Sequence, residues 1–481
     1  MRTIISIVRR QQQHLREECA RMKRMDVFEL RGSRSLVASA VSIALGSTFV
    51  PAALAAEPAE LPRISVKDTE MPSGTEISSP KMTAAPVDTP QTISVIPQEV
   101  FNLQGAQNLT ETLRNTPGIT FTAGENGFST GLSNFGLRGF DASGSIFIDG
   151  VRDSGNYNRD VFNVEQVEVA KGPAADNGRG GPGGYVNLVT KTPQADDFQR
   201  STLSYGFDRY DSDDRVRATF DGNYSLRDGT ALRVNALWQD GGVAGRDVAE
   251  RNSWGIAPSL AFGLGSPTRV VLAYQHLDQS DLPDWGIPAA ALEDTFRHDP
   301  NLDADSLRER FYGLASDFDD VKSDAVLARI EHDFSPAVTL SNQIRWSQTE
   351  RDAVYTVPFS YDAATQTVVT QTQAYARENS TLANLTNLSA AFVTGTLQHN
   401  LAVGLELTRE KSDALRFGTV SNPGTGAPIG IFDPDPHRAE GPVMTPSQSS
   451  AVKIETVAAY VYDTVEFNER WQVTGGVRLQ R

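Results

Sequence analysis

The chain has 481 residues and a formal net charge of −16. This acidity argues against a duplex nucleic acid as partner, because binding to a duplex needs a basic face. The single cysteine, Cys19, precedes a predicted cleavage site, so the mature chain is expected to contain neither a disulfide nor a reactive thiolate.

The N-terminal region has the pattern of a secretory signal peptide. Two arginines precede the uncharged run 35–56, which ends in a small-residue Ala-Leu-Ala motif. Cleavage is expected after Ala55 or Ala56, so residues 1–55 form an N-terminal extension and signal. A membrane-anchor helix is the alternative, but a glycine, a proline and several hydroxyl residues make the run a poor permanent span.

Residues 56–88 are rich in Pro, Ser, Thr and Ala and contain few large apolar side chains. Such a segment cannot bury enough surface to fold alone, so a flexible tether is expected. Within it, Ile64, Ser65 and Val66 form a short β-prone core of the kind that can add as a strand to a partner's sheet edge. Taken alone, these three residues are better interpreted as part of an ordinary linker.

Residues 89–195 have the composition of a small α+β domain. The pattern predicts a strand at "QTISVIP", a short helix at "NLTETLRNTPG" and a hairpin at "GSIFIDGVRD". The hairpin is expected to turn at Asp149-Gly150, because both residue types tolerate a positive φ. Two further strands, "VEQVEVAKG" and "GYVNLVTKT", complete the domain.

The glycines between these last two strands have a spacing that needs separate interpretation. Gly178, Gly180 and Gly183 fit the G-x-G-x-x-G pattern of a dinucleotide-binding turn. That site needs a helix directly after the glycines, whereas "GYVNLVTKT" alternates like a strand and stops at a proline. A turn between two strands is therefore predicted, and an enzyme that binds NAD at this turn is kept as an alternative.

Residues 196–481 consist of long segments with alternating polar and apolar side chains. In "TALRVNALWQD", the leucine, valine, alanine and tryptophan share one face of the predicted strand. Short turns near 227, 265, 335, 394 and 468 alternate with long loops at 280–322 and 415–450, which is typical of a transmembrane β-barrel. About eleven strands are expected, and an odd, open sheet would leave unpaired edges in lipid.

Five motifs make the chain resemble TonB-dependent outer-membrane siderophore receptors, most closely the catecholate siderophore receptor branch. They are "DTPQTISVIPQEV", "LTETLRNTPGI", "GLRGFDASGSIFIDGVRD", "RDVFNVEQVEVAKGPA" and "GRGGPGGYVNLVTKTP", in the order of the family's plug domain. The resemblance implies an all-β transmembrane barrel of about 22 antiparallel strands with a small α+β plug in its lumen. Only about 11 of those strands are present here, so 196–481 is expected to be the first half of the barrel.

Two departures from the family pattern are visible in the sequence. Ala174 and Asn177 stand where similar receptors often carry a serine and an aromatic residue. The last predicted strand ends at Arg481, whereas family members usually end in an aromatic residue.

The resemblance implies import of a ferric siderophore into the periplasm rather than catalysis. No cofactor or metal ligand is expected of the protein, because a siderophore saturates the coordination of its iron, and the six histidines have no ligand spacing. The expected partners are TonB with its inner-membrane energising complex, the ferric siderophore and outer-membrane lipid. The receptor is expected to be a monomer in the outer membrane of a Gram-negative cell.

The resemblance also changes the interpretation of Ile64, Ser65 and Val66, which become a TonB box that pairs as a strand with TonB. The tether is too short to contain the extra signalling domain of transducer-type receptors.

Siderophore contacts are expected in two plug loops that would face outward. Arginine, aromatic and polar side chains suit an anionic, aromatic ligand through charge attraction, stacking and hydrogen bonds. The candidates are Glu125, Asn126 and Phe128 in the first loop, and Arg152, Asn156, Tyr157 and Arg159 in the second. For each of them an ordinary loop role is an equal alternative.

A further set of plug residues is expected to be structural. Arg138 is interpreted as a buried charge that is paired inside the plug or with the barrel. The other members lie at turns or at close approaches to the barrel wall: Gly139, Asp149, Gly150, Gly172, Pro173, Gly183 and Gly184. Trp285, in the first long loop, is expected either to pack within that loop or to line the vestibule.

Two alternatives to catecholate import remain at this point. The cargo could instead be a hydroxamate siderophore or another iron chelate. If the chain ends naturally at Arg481, a truncated product that does not transport is expected.

Overall fold

The structure is a computed structural model that describes residues 76–121, 134–173, 181–210, 212–293, 295–419, 427–438, 444–468 and 470–481. The predicted signal peptide, the TonB box and the first plug loop with Glu125, Asn126 and Phe128 lie outside the described residues. In the described part of the chain, no helix has both the length and the apolar composition needed to cross a bilayer.

The plug domain begins with strand β1 (Thr92–Pro97), which leads directly into helix α1 (Gln98–Leu103). Helix α2 (Leu109–Leu113) follows, and Asn108 caps its N-terminus by accepting a hydrogen bond from the backbone N–H of Glu111 at 2.9 Å. The Glu111 carboxylate accepts in return from the Asn108 side chain at 3.0 Å, which completes a reciprocal cap. The predicted strand and short helix are confirmed.

Seven short strands complete the plug: β2 (Ile119–Phe121), β3 (Phe135–Leu137), β4 (Phe140–Asp141), β5 (Ile146–Ile148), β6 (Val151–Arg152), β7 (Val164–Lys171) and β8 (Gly184–Thr190). The main sheet has the order β1-β7-β8-β5-β6, with β5 parallel to β8 and the other neighbours antiparallel. A strand, not a helix, follows Gly183, which confirms that this glycine stretch connects two strands.

The core of the plug lies between this sheet and the two helices. Its buried members come from both helices and from four strands, and they include Phe101, Leu109, Leu113, Phe135, Leu137, Ile146, Val167, Val169, Val186 and Leu188. Burial of these apolar side chains is the main favourable term for folding of the domain.

The hairpin turn at Asp149-Gly150 is confirmed, with φ of +50° and +75°. The Asp149 carboxylate accepts hydrogen bonds from the backbone and side chain of Thr190, both at 2.9 Å. The Gly150 N–H donates to Asn187 at 2.9 Å. These bonds fix the β5–β6 hairpin to the end of β8.

Arg138 differs from its predicted role, because its side chain is exposed rather than buried. Arg138 and Gly139 both have positive φ, of +55° and +84°, and they form the tight turn between β3 and β4. The arginine side chain extends along the plug surface toward Gly172, where an added Cβ would lie 3.2 Å from its Nη1. The interpretation of Arg138 as a buried charge is therefore wrong.

The glycines at the start of β8 pack against the plug itself rather than against the barrel wall. A Cβ atom on Gly184, which has a φ of +122°, would lie 1.9 Å from the Ala170 carbonyl oxygen, and one on Gly183 would lie 2.2 Å from the Leu137 carbonyl oxygen. Gly172 also has a positive φ, and Pro173 is exposed beside it. The close packing of Gly183 and Gly184 was predicted correctly, but they pack against carbonyl groups of the plug and not against the barrel wall.

The second part of the chain is one large antiparallel sheet of strands β9 (Phe198–Gly206), β10 (Arg215–Arg227), β11 (Thr230–Gly241), β12 (Glu250–Phe262), β13 (Thr268–Leu282), β14 (Phe318–Ser335), β15 (Val338–Asp362), β16 (Thr367–Thr394), β17 (Leu397–Thr419), β18 (Ile429–Gly430), β19 (Met444–Asn468) and β20 (Trp471–Gln480). Consecutive strands pair, except that the short β18 pairs with β16 and β17 pairs with β19. The prediction of eleven main strands is confirmed, whereas β18 was not predicted. Within the described residues β9 and β20 form the two edges, and the sheet is not closed.

The two faces of the sheet differ in the way that a barrel wall in lipid requires. Along β15, Leu340, Ile344 and Trp346 are exposed on the outer face, whereas Gln343 and Arg345 are buried on the face toward the plug. Beyond Trp346 the outer face becomes polar, so the apolar band ends near this residue. The rim beyond it carries the long loops 242–249 and 283–317, and the opposite rim carries short turns.

Substitution of Gly184 by alanine is expected to lower the free energy of unfolding of the plug by about 3 kcal/mol or more, because a Cβ would overlap a backbone carbonyl and the φ is strained. Urea unfolding of the protein measures this change. Gly430→Ala is the matched control, since nothing lies within 4 Å of its added Cβ. Equal stability of the two variants would contradict the close packing at Gly184.

Candidate functional site

A buried cluster of charges joins the plug to the barrel wall. Arg233, on β11, donates two hydrogen bonds to Asp221 on β10, at 2.8 and 2.9 Å, and a third to Glu165 of the plug at 2.8 Å. Lys191, at the end of the plug sheet, lies 3.1 Å from the same Asp221 carboxylate. Arg233, Lys191 and Asp221 are all buried, so each charge depends on the others for compensation.

A second contact holds the second plug loop, residues 153–163, against the same wall. Arg217 on β10 donates two hydrogen bonds to Asp160, at 2.7 and 2.8 Å. Next to this pair, Tyr157 and Phe162 pack into an apolar cluster with the wall residues Leu237, Ala257, Leu277 and Val321. The ion pair and the apolar cluster together fix the position of the loop.

Tyr157 and Arg159 lie inside this loop and not on an outward face, so their predicted exposure is wrong. Each is only 3% exposed. Arg159 donates to the Asp153 carboxylate at 2.8 Å, and its guanidinium lies 4.5 Å from the ring centroid of Tyr157. The Tyr157 hydroxyl donates to the same carboxylate at 3.1 Å, and burial, with the Asp153 charge, raises the pKa of Tyr157. These side chains satisfy one another and shape the loop.

Arg152 and Asn156 are partly exposed and face the wall strands β16 and β17. Arg152 donates to the Gly144 carbonyl at 3.0 Å and lies 3.8 Å from Glu410 on β17. The Asn156 side chain lies near the Tyr375 hydroxyl on β16. A ligand role for these two residues stays a prediction.

Opposite Asn156, the wall carries a set of residues that we name the arginine–aromatic patch: Arg351, Tyr375 and Arg377. The strand register places Arg351 of β15 directly opposite Arg377 of β16. Their guanidinium carbons lie 5.3 and 5.0 Å from the Tyr375 ring centroid. Both cations therefore interact with one aromatic ring.

The two arginines of the patch differ in their other partners. Arg351 donates two hydrogen bonds of 2.7 Å to Asp319 on β14, so its orientation is fixed. The buried Nε of Arg377 and the buried Nη1 of Arg351 both have no hydrogen-bond partner among the described residues. Each cation of the patch therefore has a donor left over, although only Arg351 is held by the Asp319 carboxylate in this way.

Trp285 lies beyond Tyr375 in the direction of the long-loop rim. Its indole stacks on the ring of Tyr355, with centroids 4.8 Å apart and planes inclined by 27°. The stacking partner is thus a wall residue of β15 rather than a residue of the loop, and this contact confirms neither predicted role. The stack extends the aromatic surface beyond Tyr375.

Asp317 anchors the long loop 283–317 beside this aromatic surface. Its carboxylate accepts hydrogen bonds from the backbone of Leu314 at 2.9 Å and from the backbone and hydroxyl of Thr356 at 2.8 and 3.1 Å. Burial nevertheless raises the pKa of Asp317 to about 6. The loop is therefore connected to β15 by a carboxyl group that titrates in the mildly acidic range.

Sequence reasoning did not identify Arg351, Tyr375 or Arg377. Each lies in a correctly predicted strand, and alternation alone assigns it to a face. The missing information was the register between β15 and β16, which brings the three together. Among the described residues, no group of three or more His, Cys, Asp or Glu side chains is arranged to hold a metal ion.

Two family models match the chain. The TonB-dependent Receptor Plug Domain matches residues 85–185, and the TonB dependent receptor-like β-barrel matches residues 254–481. The chain belongs to the TonB-dependent receptor family. This is a family of receptors and transporters rather than of enzymes, and relatives with this barrel are outer-membrane proteins.

Individual relatives support this assignment. The chain is 35% identical over 461 residues to the catecholate siderophore receptor Fiu of Escherichia coli strain UTI89, with 91% of this chain and 59% of that protein covered. It is 29% identical to the probable TonB-dependent siderophore receptor PiuA of Acinetobacter baumannii, with 94% and 63% covered. The chain thus spans about three fifths of the length of these relatives.

The fold is also similar to solved structures. The crystal structure of the ferric-catecholate import receptor Fiu from E. coli K12, in its closed form, superposes with a TM-score of 0.75 at 35% identity. The match covers 84% of this chain and 58% of that one. The plug-and-barrel architecture predicted from the sequence is therefore confirmed.

The free energy of unfolding is expected to fall as pH rises from about 4 to about 6 and then to level off, through the titration of Asp317. In this range the unfolded state releases its proton while the folded state keeps it, which favours unfolding by up to about 3 kcal/mol. Urea unfolding at a series of pH values measures the slope. Asp317→Asn should reduce the slope of the unfolding free energy against pH. Asp433→Asn, which changes an exposed carboxylate, is the control and should leave the slope as it is. An unchanged slope in Asp317→Asn would contradict this assignment.

Proposed function

We propose that the receptor containing this chain imports a ferric catecholate siderophore across the outer membrane into the periplasm. The observation that carries the proposal is the arginine–aromatic patch, which faces the second plug loop inside the lumen. Similarity to a catecholate siderophore receptor supports the same cargo. The proposal involves no catalytic step and no cofactor.

The chemistry of the patch suits a ferric catecholate. Such a complex is anionic and presents aromatic rings at its surface, while its own oxygens saturate the iron. Arg377 supplies a cation with an unused donor, and Tyr375 supplies an aromatic face between two guanidinium groups. Arg152 and Asn156 extend this surface from the plug side.

A hydroxamate siderophore is the second candidate cargo within the same family. A neutral ferric hydroxamate gains much less from a guanidinium group, because the charge attraction is absent. The concentration of arginine at the patch therefore favours the catecholate.

Energy for import is proposed to come from TonB and its inner-membrane complex. Ile64, Ser65 and Val66 would add as a strand to the TonB sheet, through main-chain hydrogen bonds. The receptor would act as a monomer in the outer membrane of a Gram-negative cell, after signal cleavage near Ala55 or Ala56.

Uptake of labelled iron tests the cargo and the coupling. A receptor-deficient strain that expresses the full-length receptor is expected to import a ferric catecholate and not a ferric hydroxamate. Val66→Pro should reduce uptake to the level of the receptor-deficient strain but leave binding intact, because proline removes a main-chain donor needed for strand pairing. Val66→Ile is the control. Hydroxamate import without catecholate import would overturn the proposed cargo.

Substitution of Arg377 by glutamine is expected to weaken ferric catecholate binding about tenfold, or about 1.4 kcal/mol, through loss of charge attraction and stacking. Quenching of intrinsic fluorescence in the purified receptor measures the dissociation constant. Arg409→Gln removes an exposed arginine near the Glu455 side chain on the adjacent strand and should leave binding unchanged. Equal affinities of the two variants would show that the patch does not bind the ligand.

A further inference from the structure

Strands β17 and β19 carry a group of cations on the outer face of the barrel wall, just beyond the apolar band. On β17 the outward side chains of Leu405 and Leu407 are exposed and apolar, and the next two outward positions are Arg409 and Lys411. From the short turn at 395–396 to Leu407 the strand has about ten residues, as many as a tilted strand needs to cross the hydrocarbon core. Arg409 and Lys411 therefore lie at the level of the lipid headgroups on the long-loop side, which is the extracellular side of such a barrel.

Strand β19 adds a third cation at the same place. The strand register puts Lys453 directly opposite Lys411, and Glu455 directly opposite Arg409. The Lys453 Nζ lies 2.7 Å from the Glu455 carboxylate, and the Arg409 Nε lies 3.7 Å from the same carboxylate oxygen. Within the described residues Lys411 forms no ion pair. We name Arg409, Lys411 and Lys453 the outer basic patch, and its three cations have the single carboxylate of Glu455 beside them.

The pairing of Lys411 with Lys453 is unfavourable in the absence of an anion. Directly opposite residues of an antiparallel pair have Cβ atoms about 5 Å apart, and like charges at such positions destabilise the sheet. A single anionic group between the two ammonium groups would convert this repulsion into attraction. The register thus brings two cations within reach of one anion.

The rest of the described wall carries the opposite charge at this level. On β10–β16 Lys322 is the one cation on the outer face, and Asp278 and Glu350 lie directly opposite it on the two neighbouring strands. The outward carboxylates near this rim are Asp240, Glu250, Asp278, Asp320, Asp324, Glu350, Asp352 and Glu378. Positive charge on the described outer face is therefore concentrated on the β17–β19 sector.

The position of the outer basic patch selects the kind of anion that fits it. The patch adjoins exposed apolar side chains, among them Leu405, Leu407 and Val457, which face the hydrocarbon of the bilayer. An amphiphile with acyl chains and an anionic headgroup can contact both surfaces at once, whereas a free anion gains nothing from the apolar one. Lysine binds phosphate as a point charge, and lipid A, the glycolipid of the outer leaflet, has a phosphorylated headgroup.

We propose that the outer basic patch binds a phosphate group of lipid A. Lys411 and Lys453 contact the phosphate from two adjacent strands, and Arg409 offsets the charge of Glu455. The acyl chains lie along the apolar band of β17 and β19. This inference uses the outer-membrane location of relatives with this barrel and is independent of the cargo.

Titration of the purified, delipidated receptor with lipid A, followed by native mass spectrometry, tests the proposal. Each of Lys411→Gln and Lys453→Gln is expected to weaken binding of phosphorylated lipid A about fivefold, because a cation near an anionic lipid surface contributes about this factor. Lys322→Gln is the matched control, since it removes an outward lysine among carboxylates, and it should leave the affinity unchanged. All three side chains are exposed, so the substitutions leave the core intact.

Two further ligands identify the group that is recognised. Dephosphorylated lipid A should bind the parent receptor and the Lys411→Gln variant equally. Inorganic phosphate should bind much more weakly than lipid A, because it lacks the acyl chains. Equal affinity of the parent and both lysine variants for lipid A would overturn the proposal, as would equal binding of inorganic phosphate and lipid A. Ferric catecholate binding should not change in these variants, so loss of one proposal leaves the other in place.

Substitution of Glu455 by glutamine gives a change in the opposite direction. Its carboxylate lies beside Arg409 and Lys453 and competes with the lipid phosphate for both cations. Glu455→Gln is therefore expected to strengthen lipid A binding several-fold in the same titration. Unchanged or weaker binding would show that the charge of this patch does not attract the lipid headgroup.

Discussion

Two cations converge on the Asp221 carboxylate, and this buried cluster fixes the plug in relation to the barrel wall. Lys191 comes from the plug and Arg233 from the wall, so neither domain can shift without leaving a charge unpaired. A buried ion pair often adds little net stability, but displacement of one partner is costly. The cluster therefore holds the plug against the wall, and the Arg217–Asp160 ion pair with the adjoining apolar cluster then positions the second plug loop.

The wall strands β15 to β17 carry two groups of polar side chains on the face toward the plug. Near the long-loop rim these are Arg351, Tyr375 and Arg377, and nearer the short-turn rim they are Asn387 and Glu406. Asn387 donates to the Pro80 carbonyl and Glu406 pairs with Lys81, so this part of the wall is bound to the segment that precedes β1. The proposed ligand contacts and the contacts of that segment therefore lie on one face of the wall.

The sequence predicts most of the fold because lipid on one face and a polar plug on the other impose a period of two on each strand. The Asp149-Gly150 turn was predictable from local turn chemistry. Tyr157 was misplaced because its burial depends on wall contacts that are distant in sequence, and Arg159 because it turns inward to pair with Asp153 of its own loop. Arg351 and Arg377 were missed for the same reason, since strand register alone makes them neighbours.

The most direct test of the account is a structure of the full-length receptor with a bound ferric catecholate. The account predicts ligand density in contact with Arg377 and the ring of Tyr375, on the side facing Asn156 of the second plug loop. Ligand bound in the lumen without contact to β15 or β16 would contradict the assignment of the arginine–aromatic patch as the recognition site.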